Sequence, residues 1–189
     1  KVYNPNDQSS PLIETISYIS YTGALIFKRS CWDEREKEEY YGSLFIEIGV
    51  IFQKELPGNT LVVAEPLVVI RYGQGEWVHK TFEIWMINLP ELIWGFPNFT
   101  ESVKRQVCLK EPWRRLNELI KLRAKGAYSI DEYKKWLRPR TSSNWYLFKS
   151  RFIAQFPGSI MNIFTIIYIY LFYPNAKGLL LDLKDSQYY

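Results

Sequence analysis

Leu61-Val62-Val63-Ala64-Glu65-Pro66-Leu67-Val68-Val69-Ile70 reads as two short strands around Glu65-Pro66, since branched apolar side chains fit a pleated surface and proline interrupts it. N-terminal to it, 12–27 is rich in β-branched and aromatic residues and predicts a strand at 23–27. Between them, Leu44, Ile48, Ile51 and Phe52 recur at helical spacing in 43–55, with Ser43 as a cap and Pro57-Gly58-Asn59 as the stop. From residue 80 onward the pattern is helical. An apolar helix over 81–93 is interrupted at Pro90, and Pro112 opens a helix that ends before Gly126. Ser129-Ile130-Asp131-Glu132 is a capping box for 130–137, and two further helices follow at 144–156 and 159–173, broken at Pro157-Gly158 and Pro174. The expected class is therefore α/β, a mixed sheet in the first 70 residues followed by a helical region. Four strands make a thin sheet for a chain this long, so strands preceding residue 1 are expected to complete it.

The 189 residues are 47% apolar and 23% charged, an ordinary globular composition that excludes disorder and fibrous repeats. Aromatics reach 17%, which leans toward a binding surface or a membrane interface. Cys31 and Cys108 are too few for a disulfide framework, and with the single His79 they exclude a structural zinc site. A reducing compartment is expected. The first ten residues hold no apolar core of a signal peptide. Asn98-Phe99-Thr100 has the pattern of a glycosylation sequon and carries little weight without such a signal.

The net charge of +4 is unevenly spread: 104–151 carries 14 Lys and Arg against 4 Asp and Glu. That asymmetry points to an anionic partner, or more plainly to a solvated helical face. In 113–151 the aromatic Trp113, Trp136 and Trp145 interleave with Arg114, Arg115, Arg138 and Arg140, a mixture suited to an anionic membrane surface. The 14-residue run 160–173 is too short to span a bilayer and predicts either a core helix or one lying in the interface.

No glycine-rich phosphate loop, nucleophile elbow or metal-ligand cluster is present. Glu47 stands alone in the apolar run Leu44-Phe45-Ile46-Glu47-Ile48-Gly49-Val50-Ile51-Phe52. Either the helix turns this carboxylate to water, or burial raises its proton affinity as a general base would require.

The order Gly23-Ala24-Leu25-Ile26-Phe27-Lys28-Arg29, then Cys31-Trp32-Asp33-Glu34, then Glu47 in its helix, then Ala64-Glu65-Pro66-Leu67-Val68-Val69-Ile70-Arg71-Tyr72-Gly73-Gln74-Gly75-Glu76-Trp77, resembles the C-terminal half of family 2 glycosyltransferases. The bacterial, abequosyltransferase-like enzymes of surface-polysaccharide synthesis are the subgroup it is most similar to, over residues 15–95. The resemblance implies a partial GT-A fold, with 1–97 as the acceptor-side part of a catalytic domain and 98–189 as a basic, aromatic helical tail. It implies transfer of a sugar from a nucleotide-sugar donor to a saccharide or lipid-linked acceptor, with inversion and with Glu47 as the base. Ile48 stands where the family often has a second acid. Asp33, Glu34, Arg71, Gln74 and Trp77 would bind substrate, Arg71 facing the donor diphosphate, and His79 would be a ligand of Mg²⁺ or Mn²⁺. The nucleotide-binding half and its Asp-X-Asp motif would precede residue 1, so this chain alone is expected to be inactive and to partner the N-terminal half of the same enzyme. The implied place is cytoplasmic, peripheral at the inner face of the cell membrane.

Two other classes fit some of these features. A nucleic-acid-binding module would use the basic and aromatic residues, although they form no recognition motif, so nucleic acid is not the expected partner. A non-catalytic interaction domain would pack helix 159–173 on a partner subunit or, as a homo-oligomer, on its own copy.

Overall fold

The computed structural model describes residues 1–19, 21–65, 67, 80–173 and 175–188. Chain contacts gather into two compact units, one made of Lys1–Gly73 with Asn88–Lys110, the other of Gln74–Ile87 with Glu111–Tyr189.

The first unit contains β1 (Val2–Tyr3), α1 (Ser9–Ile19), α2 (Arg29–Asp33), α3 (Ile46–Phe52), β2 (Thr60–Leu61), α4 (Leu89–Gly95) and α5 (Glu101–Val107). β1 and β2 pair antiparallel, Val2 opposite Leu61 and Tyr3 opposite Thr60, and they are the only sheet among the described residues. The expected α/β architecture, a partial GT-A mixed sheet, is therefore wrong: the chain is mostly helical. At 23–27 a 3₁₀ turn, Thr22–Ala24, gives way to irregular chain, and Ile26 is 102% exposed. Of Leu61 to Ala64 only Leu61 lies in the strand and Val62 extends the pairing by exchanging backbone hydrogen bonds with Lys1, while residues 68–70 lie outside the described residues. β-Branched residues express a preference for a pleated, half-covered surface, and a strand forms only where another strand is there to pair with it.

α3 begins three residues later than expected. Leu44 adopts φ 64°, in the left-handed region, so the helix cannot extend back to Ser43. Ser43 instead closes the preceding turn, its Oγ donating to the Tyr40 carbonyl (2.7 Å) and accepting from the Phe45 amide (3.1 Å). The far end of α3 is held by Arg35, which is buried without a carboxylate: its guanidinium donates to the carbonyls of Val50 (3.1 Å), Ile51 and Glu55 (2.7 Å). The Val50 and Ile51 carbonyls end the helix and need a donor, and the side chain supplies it while also holding the Glu55 carbonyl just beyond. Gly49 lies against the Tyr40 ring where no Cβ would fit.

The second unit contains α6 (Leu116–Lys125), α7 (Ile130–Glu132) with the wide turn Tyr133–Leu137, α8 (Asn144–Gln155), α9 (Gly158–Phe172) and α10 (Lys177–Lys184). The capping box at Ser129 forms as the sequence predicts, with Glu132 Oε2 accepting from the Ser129 amide (2.8 Å) and Ser129 Oγ accepting from the Asp131 amide (3.1 Å). Gly126 ends α6 at φ +86°. The main core holds Phe82, Trp113, Leu119, Tyr128, Leu137 and Ile153, with the Phe82 and Tyr128 rings stacked at 5.1 Å. Tyr128 hydroxyl donates to the Ser150 carbonyl (3.1 Å). α6 packs along α9, whose inner residue Ile169 meets Ala124 and Leu183 in a second, smaller cluster.

Candidate functional site

Of the residues expected to bind substrate or catalyse, Asp33, Glu34 and Glu47 lie among the described residues. Asp33 is spoken for by Arg29 four residues earlier (3.2 Å), and Glu34 lies exposed at the end of α2. Glu47 occupies the first turn of α3, half-buried, at the opposite end of that helix from the Arg35 cap. Arg71, Gln74, Trp77 and His79 lie outside the described residues. Among the described residues no three His, Cys, Asp or Glu side chains come together as a metal would need.

The second unit is different, because α9 is built inside out. Gly158, Asn162, Thr165 and Ile169 recur at helical spacing and face the protein, and two of the four are polar. Ile160, Ile163, Phe164, Ile167, Tyr168 and Leu171 recur at the same spacing on the opposite face and are exposed. A helix in water normally presents the reverse. The inward donors are satisfied, while Asn162 Oδ1 is buried without a hydrogen-bond partner among the described residues. Asn162 Nδ2 donates to the carbonyls of Ala124 (3.0 Å) and Leu183 (2.9 Å) and to Ser186 Oγ (3.0 Å), tying α9 to the ends of α6 and α10. Thr165 Oγ1 donates back to the Met161 carbonyl (2.7 Å). Small and polar residues at the helix–helix contact, with apolar residues outward, is the pattern of helices whose surroundings are lipid.

α8 meets α9 at a 99° bend after Gln155. Pro157 cannot continue a helix, and Gly158 lies against the Tyr188 ring with no room for a Cβ. Together the two helices carry enough apolar residues for a bent or re-entrant membrane segment, although among the described residues no single helix is long and apolar enough to cross a membrane. Trp145, Phe148 and Phe152 form an exposed stripe on α8, Trp145 66% exposed and stacked on Phe148 at 5.9 Å. At about 100° per residue, Lys149 and Arg151 flank this stripe on its two sides. Lys149 Nζ lies 4.7 Å from the Trp145 ring centre.

The other residues expected at the membrane divide. Trp113 is only 4% exposed and is a core residue, so its place in a membrane contact is corrected; Tyr146 hydroxyl donates to its carbonyl and its ring faces Tyr146 edge-on. Arg114 pairs with Glu111 (2.6 Å) beside the Trp113 ring, and Arg115 is exposed. Trp136 is half-buried between Lys135 and Arg140, 4.4 and 5.0 Å from its centre, and Arg138 is exposed. Sequence reasoning left out Phe148 and Phe152, and held Phe164 and Ile167 only as part of the run 160–173 without saying which side faces out. The signal was there: Asn162 and Thr165, the two polar interruptions of the apolar run, share one helical face with Gly158 and Ile169, which marks that face as the inner one.

Comparison of the chain with protein families, curated proteins and solved structures finds no match.

Proposed function

We propose that the second unit attaches the protein to a membrane interface, with α9 lying in the boundary between headgroups and acyl chains and α8 laying its aromatic stripe beside it. The observation that carries this is the inverted polarity of α9, with Asn162 and Thr165 inside and Ile163, Phe164 and Ile167 outside. Fifteen helical residues reach about 22 Å, short of the hydrocarbon core, which favours lying in the interface over crossing it. The excess of Lys and Arg in 104–151 favours an anionic leaflet, each cation near the surface contributing about 1 kcal/mol. Flotation with neutral and with anionic vesicles, at low and high salt, tests the reading. Binding to both, stronger on anionic lipid and weakened there by salt, is expected. Absence of flotation with either vesicle, together with a constant dimer mass in detergent, would instead favour self-association through the same face.

Sugar transfer from a nucleotide donor to a lipid-linked acceptor is a second reading, and the order of the motifs around Glu47 is what favours it. It has to proceed without the mixed sheet. Incubation with nucleotide sugars, Mg²⁺ or Mn²⁺ and a lipid-linked acceptor tests it, and Glu47→Gln would cost about 10²-fold if that carboxylate takes the acceptor proton. Attachment to the inner face of the cell membrane would serve such an acceptor.

A further inference from the structure

Between the wide turn Tyr133–Leu137 and α8 lies an open cleft of about 440 Å³, lined by Ile130, Tyr133, Lys134, Arg138, Arg151 and Gln155. Three cations line it and no carboxylate does. The neighbouring cations are engaged elsewhere: Lys135 pairs with Glu83 (3.2 Å), Arg140 lies over Trp136, and Lys149 over Trp145. The acids nearest in sequence do not line it: Glu132 is bound into the Ser129 capping box and Asp131 is exposed on the first turn of α7. Among the described residues the side chains of Lys134, Arg138 and Arg151 carry no ion pair or hydrogen bond. Three like charges held around one hollow repel each other, and an anion of matching charge relieves that repulsion.

We infer that this cleft binds the phosphate ester of a lipid headgroup. Two guanidinium forks can each hold two oxygens of a phosphate, which a lone lysine cannot do. A phosphomonoester carries a charge near −2 at neutral pH, closer to the lining's three positive charges than a carboxylate or a phosphodiester. The lipid source follows from position. Arg151 borders the exposed Phe148 and Phe152 stripe, so a headgroup in the cleft leaves its acyl chains beside the aromatic rings. The inference rests on the membrane reading for that source and on the cleft alone for the phosphate.

The test uses the full chain and three vesicle types: phosphatidylcholine alone, phosphatidylcholine with phosphatidylglycerol, and phosphatidylcholine with phosphatidic acid, the last two matched in surface charge. Binding to phosphatidic acid is expected to be about tenfold tighter than to phosphatidylglycerol, and glycerol 3-phosphate is expected to compete. Arg138→Gln and Arg151→Gln should each weaken binding to phosphatidic acid about fivefold more than binding to phosphatidylglycerol. Equal affinity for the two anionic vesicles, or equal losses on both, overturns the inference and leaves the membrane reading standing. A thermal shift with inorganic phosphate, run without vesicles, separates the two claims. A rise in melting temperature that disappears in Arg151→Gln, with no flotation on any vesicle, would support the phosphate site and overturn its lipid source and the membrane reading together.

Discussion

Phe164→Ser and Asn162→Ala alter neighbouring residues of one helix and should have opposite consequences. Phe164 is 64% exposed. Taking about 200 Å² for a whole aromatic side chain, about 130 Å² remains to be covered, equivalent to about 3 kcal/mol on full immersion. A helix lying in the headgroup boundary immerses about half of that, so Phe164→Ser should lower the vesicle partition coefficient about tenfold. The melting temperature should hold within about a degree, because the ring adds little to the core. Asn162 is fully buried and its amide holds two carbonyls from other helices. Asn162→Ala strands both, at about 1–3 kcal/mol, or roughly 2–10 °C in melting temperature for a chain of this size. Its partitioning, measured on folded protein, should not change. Flotation on neutral and anionic vesicles with melting followed by near-ultraviolet circular dichroism reads both quantities. The reasoning is refuted if Phe164→Ser partitions like the parent, or if it melts as early as Asn162→Ala.

Arg35→Met removes a side chain that caps α3 and leaves three carbonyls without their donor, so urea unfolding of the first unit should become easier by about 2–4 kcal/mol. Gly126→Ala forces a side chain into a left-handed conformation and against Gln187, and should cost about 1–2 kcal/mol in the same assay, with the loss in the second unit. Burial pushes the Cys108 thiol up from 9.0 to about 11, with Trp94 offsetting part of the shift. At pH 8 its thiolate is therefore about a hundredfold scarcer than that of a free thiol, and its alkylation should slow in proportion, as read by mass spectrometry. Because the folded state holds this proton more tightly, its stabilising contribution is complete below pH 9 and is lost as pH rises through 11. Unfolding midpoints taken across that range should fall, and should fall less in Cys108→Ala.

Local chemistry was legible in the chain. The Ser129 capping box, the glycine ending α6 and the Pro157-Gly158 break all depend on residues within a few positions of each other, and each occurs where its motif stands. The strand at 23–27 failed for the complementary reason. Its side chains suit a sheet, but pairing requires a second strand from far along the chain, and among the described residues none is there. Ser43 failed more narrowly, since the left-handed turn at Leu44 places it outside the helix it was expected to cap. Trp113 could not be assigned from its neighbours either: flanked by Arg114 and Arg115 it reads as an interfacial residue, yet it packs with Tyr146 in the core. The resemblance around Glu47 rested on motif order, and order does not carry the geometry that a donor site and a base require.

Taken alone, the amino-acid sequence determined the helix boundaries at Ser129, Gly126 and Pro157-Gly158, the concentration of positive charge in 104–151, and an apolar helix too short to span a bilayer. Those are properties of neighbouring residues and of sums over them. Tertiary structure alone decided that no extended sheet forms among the described residues, that Trp113 turns inward and Phe164 outward, and that Lys134, Arg138 and Arg151 converge on one cleft. Which face of a helix is covered depends on what the rest of the chain brings against it. For α9 the ends of α6 and α10 bring carbonyls, and they select Asn162 over the isoleucines.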